Sequence, residues 1–386
     1  MQLVFSDAQY WENFLPLTFT RPVAEMRCGI LTFAERWQKL LGSTQVSFFT
    51  EEFLQQKFQA PEFEESLFLV PNFLPTKDVL EQIRNLKMGE ALVYEDELLA
   101  ARVNIKDFSL SQIEKMTDVT EEIVFFRKPT DLFSYNAAAI DFDFELLTEG
   151  RTSQPLSPTN GFLGNVEDLF IEEGASIEFS TINCRTGKIY IGKDAEVMEG
   201  CNLRGPIALC EGSKFNLGAK IYGETTVGPH SKVGGEVNNV VIFGFSNKGH
   251  DGFIGNSVIG EWCNLGADTN SSNLKNNYAS VKLWSYSSKS MEDTGLQFCG
   301  LIMGDHSKAA INTQFNTGTV VGVAANIFKA GFPPNHIPSF SWGGMAGDEK
   351  FRLDKAVEVA GKVMARRKVE LTGVDEAIFS YLHQNY

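Results

Sequence analysis

The chain has no apolar run long enough to cross a bilayer, no basic segment leading into a long apolar one near Met1, and no closely spaced pair of cysteines. The first absence excludes a membrane-spanning helix. The second excludes a secretory signal of the usual kind in Met1-Gln2-Leu3-Val4-Phe5-Ser6-Asp7. The third makes Cys28, Cys184, Cys201, Cys210, Cys263 and Cys299 reduced packing residues, as expected of a cytoplasmic protein.

Positive charge is also scarce. Lys and Arg number 34 against 49 Asp and Glu, a formal net charge of −15, so long-range repulsion opposes binding to nucleic acid or to an anionic membrane. An anionic substrate must be held by a few local cations. Histidine is limited to 5 residues, with no His-x4-His spacing, which ranks a zinc site shared between successive coils low. No metal site is expected on that basis.

What the chain does have is a period of six. Ile191, Val197, Leu203, Leu209, Phe215, Ile221, Val227 and Val233 place an apolar side chain at every sixth position, with small residues such as Ala195, Cys201, Ser213, Ala219, Thr225 and Ser231 four residues behind. That period fits neither a strand nor a helix; it describes a coil of short flat strands joined at corners. Phe253, Ile259 and Leu265 continue it, as do Met303, Ala309, Phe315, Val321 and Ile327. The runs are out of phase, which predicts loops leaving the coil at 238–249 and 270–300, where function is expected.

Before the coil, residues 1–150 read as an α/β unit. Strands are expected at Leu3–Phe5, Val46–Phe49, Leu67–Val70, Ala91–Tyr94 and Ile123–Phe126, and helices at Leu31–Leu41 and Lys77–Leu86, an alternation that argues a parallel, doubly wound sheet. A connecting helix is expected over Asp131–Leu147, followed by the polar linker 152–159. The solenoid domain is placed at 160–335 and a helical tail at 346–386, with Thr372 and Asp375 as a capping box. The tail is expected to cover the open end or side of the coil.

From His250 the chain reads His-Asp-Gly-Phe253-Ile-Gly, then Asn264-Leu-Gly-Ala267, then Asn273. This spacing resembles the acetyltransferase segment of the bifunctional GlmU-like family, which acetylates glucosamine-1-phosphate and joins it to a uridylyl group. The resemblance implies a left-handed parallel β-helix, a homotrimer with sites between subunits, acetyl-CoA as cosubstrate, and an amino-sugar phosphate as substrate in UDP-N-acetylglucosamine-type synthesis. Carried over, His250 is the general base, Asn264 contacts the sugar, Asn273 lies beside the acetyl group, and Ala267 lies against the coenzyme. An imidazole suits the role, since its ordinary pKa of about 6.5 leaves it mostly neutral near pH 7. Phe253 stands where that family has tyrosine, and its phosphate-binding arginine is missing, so Lys232 and Lys248 are the candidate substrate cations.

The N-terminal part resembles the sugar-nucleotide pyrophosphorylases through Leu15-Pro16-Leu17-Thr18 and Arg21-Pro22. That resemblance implies UTP or another nucleoside triphosphate as a ligand, with Mg2+ only where nucleotidyl transfer occurs. Arg21, Asp131 and Asn136 are the candidate nucleotide contacts. Ser6 to Asn13 contains no glycine, however, and a backbone without small residues does not approach a triphosphate closely. Two other readings remain: an active sugar-1-phosphate nucleotidyltransferase as the main activity, or a non-catalytic trimer that binds a nucleotide sugar.

Overall fold

A computed structural model describes residues 2–62, 65–104 and 112–386. The first strand, Gln2–Ser6, pairs in parallel with Val46–Phe49 and Glu65–Leu69. The sheet then turns mixed, because Glu97–Asn104 runs antiparallel to both Glu65–Leu69 and Glu90–Tyr94, and Lys115–Asp118 closes the far edge parallel to Glu90–Tyr94. The expectation of a wholly parallel, doubly wound sheet therefore holds for one half only. A hairpin at Glu95-Asp96, both with positive φ, replaces the helical crossover there. Val124–Phe125 pairs with Phe73–Leu74, outside the sheet.

The helices form where their caps predict. Phe33–Leu41 starts at a Thr32/Glu35 capping box and stops at Gly42, whose φ of 63° a left-handed terminus favours. Lys77–Arg84 is capped by Thr76. The connecting helix is two pieces, Pro129–Ser134 and Asn136–Thr148, broken at Tyr135.

The coil is a left-handed parallel β-helix of about ten turns. It begins at Gly161–Leu163 and ends at Trp342–Gly343. One face runs from Leu169–Ile171 to His336–Ile337, the next is a nine-stranded sheet from Ser176–Ile177 to Trp342–Gly343, and the third runs from Gly161–Leu163 to Gln314–Phe315. The sixth-position residues stack inward as predicted: Ile191 on Leu209 and Leu209 on Val227.

The corner between the first and second faces uses residues with positive φ, among them His230, Phe245, Trp262 and His306. Their rings stack in a column, with Phe245 and Trp262 at 4.2 Å between centroids. His230 and His306 are thus packing residues, as is His383, whose Nε2 lies 3.0 Å from the Phe351 carbonyl oxygen.

Of the two expected excursions, one exists. After Ser271 the chain leaves the column, builds an antiparallel hairpin from Lys282–Ser285 and Ser290–Asp293, and returns at Leu301–Met303. At 238–249 there is no loop. Glu236–Gly244 is one strand that rounds a corner, pairing Val237 with Ile221 on the third face and Ile242 with Val227 on the first. Ile242 follows Val227 by fifteen residues rather than eighteen, so the phase break comes from a shortened coil.

The first face is buried on both sides. Its outward residues Tyr190, Ala208, Val241, Val258, Ile302 and Val320 are buried, because the N-terminal unit covers them. Each of the Val and Ile side chains among them contributes roughly 1.5–3 kcal/mol when fully removed from water. Helices Leu353–Ala365 and Gly373–Asn385 cover the side of the column, with Ala356, Ala360, Ile378, Phe379 and Leu382 packed on Val323, Ala324 and Phe340 and on Trp11, Leu15 and Phe19 of the N-terminal unit. The second of these helices carries the expected capping box, Thr372 Oγ1 accepting from the Asp375 amide at 3.2 Å. All six cysteines are free and buried.

Candidate functional site

The outward positions of the second face form a polar ladder. Lys214 pairs with Lys232, Lys232 with Asn247, Asn247 with Asn264, and Asn264 with Lys308. Between this ladder and the end of helix Leu353–Ala365 lies a cleft of about 810 Å³, lined among others by Lys232, His250, Asn264, Ala267, Lys308 and Arg366. Arg367 also lines it and donates to Asn247 Oδ1 at 3.3 Å. Among the described residues no carboxylate lines this cleft, although the chain as a whole carries an excess of acid. Burial and the neighbouring Arg366 hold the Arg367 guanidinium below its ordinary pKa, and burial brings Lys308 down to about 8. Cations crowded this way favour an anionic ligand.

His250 is exposed at the corner between the second and third faces, where the main cleft meets a second, shallower one lined by Met198, Leu217, Gly235 and Asp268. Ala267 occupies the equivalent corner position one coil on, and it too lines both clefts. The corner is built tightly: a Cβ on Gly234 would come within 2.6 Å of the Gly249 carbonyl oxygen, so the coil beneath His250 can close only over glycine.

The structure brings together four of the predicted residues, His250, Asn264, Ala267 and Lys232, on one cleft. Lys248 is a correction. It stands in register with Val233, inside the column, and is 3% exposed. Its ammonium donates to the carbonyl oxygens of Gly234 (3.0 Å) and His250 (2.8 Å), which leaves it no path to a substrate in the cleft. Burial lowers its pKa to about 8. Asn273 does not line the cleft; at the root of the excursion its amide donates to Asn256 Oδ1 at 2.7 Å.

The three N-terminal candidates are also corrected. Arg21 is buried and pairs with Asp305, and with Glu261 at 3.3 Å, both on the column, while its guanidinium lies 5.3 Å from the Phe243 ring centre. Asp131 accepts from the amides of Arg127 and Lys128, at 2.7 and 3.1 Å, and so caps the start of its own helix, Pro129–Ser134. Asn136 is fully buried; it accepts from the Gly29 amide at 2.8 Å and donates to the Glu224 carbonyl at 2.7 Å. Each position looked like a ligand contact in sequence, but each is engaged by protein, although Arg21 Nε is buried without a hydrogen-bond partner among the described residues. No cluster of three or more metal-ligating side chains occurs among the described residues.

The segment after the first strand forms an apolar wedge. Trp11, Leu15 and Phe19 are buried against the column and the last helix, and Trp11 and Thr18 bond each other's backbone carbonyls at 2.9 and 2.6 Å.

An α/β unit is joined through a helix to a left-handed parallel β-helix. Residues 2–152 match the family model described as sugar nucleotidyl transferase. The chain is 34% identical over 87 residues to a protein named bifunctional protein GlmU from Methanocaldococcus jannaschii, an alignment covering 22% of this chain and 21% of that one. It is 30% identical over 168 residues to a bifunctional sugar-1-phosphate nucleotidylyltransferase/acetyltransferase from Sulfurisphaera tokodaii, covering 43% of this chain and 38% of the relative. The matched stretches thus span well under half the length of either relative. The chain is thus similar, over residues 2–152, to sugar nucleotidyl transferases and, over part of its length, to bifunctional proteins of the GlmU kind.

Proposed function

We propose that this protein transfers the acetyl group of acetyl-CoA to the amine of a hexosamine phosphate, with His250 as general base, as a step in UDP-N-acetylglucosamine-type sugar-nucleotide synthesis. The observation that carries the reading is an exposed imidazole at the end of a cleft whose charged lining is wholly cationic: Lys232, Lys308, Arg366 and Arg367. The cleft suits an elongated cosubstrate with several phosphates, and Trp262 and Phe245 offer aromatic surface along its wall.

In this mechanism the amine nitrogen attacks the thioester carbonyl carbon while His250 takes the ammonium proton. The tetrahedral intermediate then expels the CoA thiolate, which takes a proton back from the imidazolium. Asn264 orients the sugar, and Ala267 marks where the thioester passes along the backbone. The Lys248 ammonium holds the His250 carbonyl from inside and so fixes the base.

A homotrimer completes the site in this reading. Phe179, Leu217 and Ile311 lie along the corner that carries His250 and are 65%, 68% and 68% exposed. An apolar stripe of this kind suits burial against another copy of the column. No helix among the described residues is long and apolar enough to cross a membrane, and a cytoplasmic setting accords with the free cysteines. The test is release of free CoA from acetyl-CoA on addition of hexosamine phosphates. Turnover lost in His250→Ala supports the reading; turnover unchanged in that variant overturns His250 as the base, and no CoA release with any hexosamine phosphate overturns the activity and leaves the non-catalytic scaffold.

A further inference from the structure

Asn216 stands on the second face, two coils before His250. It follows Phe215, which is in register with Val233, and Val233 is in register with Lys248, so Asn216, Gly234 and Gly249 form one row beside the corner. The two glycines leave that row open. A Cβ on Gly249 would lie 3.1 Å from Asn216 Nδ2, and apart from its chain neighbours no other heavy atom comes within 4 Å of it. A Cβ on Gly234 would lie 3.4 Å from Asn216 Cβ. The asparagine extends through this space, and its Nδ2 donates to the Gly249 carbonyl oxygen at 2.7 Å. It also lines both of the clefts that meet at His250.

The Gly249 carbonyl belongs to the peptide that joins Gly249 to His250. The next carbonyl, that of His250 itself, accepts from the buried Lys248 ammonium at 2.8 Å. Two consecutive peptide units are therefore held through their oxygens by different side chains, one reaching along the outer surface and one from the core. Each unit is a stiff plane, and the soft torsions between the two planes are φ and ψ of His250. Holding both planes fixes those torsions and, with them, the direction of the His250 Cα–Cβ bond. Glycine has more backbone freedom than any other residue, so position 249 is where an external hold has most to restrict.

We infer that Asn216 is a positioning residue for His250, a role that rests on the acetyl-transfer reading above: its amide clamps the peptide that leads into the base and so sets where the imidazole meets the amine. In this role Asn216 acts only through the Gly249–His250 peptide. A general base must stand within about 2.6–3.2 Å of the group whose proton it takes, and a misplacement of about 1 Å costs about a hundredfold in rate. A loosened peptide lowers the rate of the chemical step and leaves the cationic wall that holds the cosubstrate as it was.

The test compares Asn216→Ala, Asn216→Asp and Gly249→Ala with the wild type, in full-length protein, by steady-state CoA release and by hydrogen exchange across residues 249–252. Asn216→Asp keeps the shape but has no N–H to donate, and Gly249→Ala sets a methyl group against the Asn216 amide. In each variant kcat should fall about tenfold or more, with the KM for acetyl-CoA within about twofold of the wild type. Exchange should quicken about fivefold, as loss of one hydrogen bond allows. In a His250→Ala background, Asn216→Ala should lower the residual rate by less than about twofold, since nothing is left to position; a general loosening of the coil would lower it as much as in the wild type. Unchanged kcat, a fall in kcat that persists undiminished in His250→Ala, or unchanged exchange would each overturn the assignment. A wild type that releases no CoA would overturn the acetyl reading and the positioning role with it, whereas quickened exchange in Asn216→Ala would still establish the clamp itself.

Discussion

The Lys248 ammonium, buried in the column, donates at 2.8 Å to the carbonyl oxygen of His250, whose ring is exposed outside it. A lysine in an aliphatic slot is a costly choice, and its two carbonyl partners explain why the slot tolerates it. The consequence is a corner whose backbone is held from within.

That relationship predicts a pH effect of known sign. Burial lowers the Lys248 pKa to about 8, against an unfolded value near 10.4, so between those values the unfolded chain binds more protons and folding stability rises with pH. Lys248→Met lacks this component. The stability of wild type relative to Lys248→Met should therefore increase by about 1–2 kcal/mol from pH 7.5 to 9.5, measured by urea unfolding; a difference independent of pH would show that the ammonium is not desolvated.

His250 is exposed and its ring bears no packing duty, so His250→Ala should change stability by no more than about 0.5 kcal/mol. Acetyl transfer should fall by about 10²–10⁴-fold, the usual contribution of a general base. Steady-state CoA release alongside a melting curve separates the two effects.

The cation-only cleft predicts how the cosubstrate is held. Replacing Arg366 and Arg367 together by alanine should raise the KM for acetyl-CoA by about tenfold or more while leaving kcat within about twofold, as loss of uniform binding does. A selective fall in kcat would instead place these arginines at the reacting atoms.

Arg21 and Asp305 join the N-terminal unit to the column, buried on both sides. Burial alone would raise the Asp305 pKa, but the Arg21 charge and the Thr20 and Glu261 hydrogen bonds bring it below the ordinary carboxylate range. Its contribution is present above the unfolded pKa and is lost as pH falls through the folded one. Arg21→Met should cost about 3–5 kcal/mol by leaving a buried carboxylate unpaired, and Arg21→Met with Asp305→Asn should recover part of that loss in denaturant melts.

The wedge of Trp11, Leu15 and Phe19 follows the first strand and is buried against the column, and the residues from Ser6 to Asn13 contain no glycine. With UTP, Mg2+ and hexose 1-phosphates, pyrophosphate release should be weak or absent. A robust magnesium-dependent rate would show that the wedge moves aside.

The column was readable because one inward residue per edge leaves a period that survives in sequence, from Ile191 to Val233. The excursion before Met303 was readable for the same reason. The shortened coil at Val227 to Ile242 was not, since removing three residues shifts the phase as a loop does. Lys248 was hidden because an inward lysine looks like an interruption of an apolar pattern. Arg21, Asp131 and Asn136 carry polar groups that suit a ligand equally well, and only their partners in the fold assign them. Two further signals lie in the sequence. Ile189-Tyr190-Ile191, Val240-Val241-Ile242 and Leu301-Ile302-Met303 have apolar residues on both sides of the strand, marking the face that another unit covers. Arg366-Arg367 at a helix end marked the cationic wall.

Solenoids usually change length freely by gaining or losing rungs, but this one is indexed to its neighbour. Asp305 meets Arg21 and Asn136 meets Glu224 at fixed heights along the axis. Adding one rung between residues 224 and 305 would displace the upper lock by a strand spacing, about 4.8 Å, while the lower stayed engaged. The number of rungs between them is therefore set by the dimensions of the N-terminal unit, and the two must vary together.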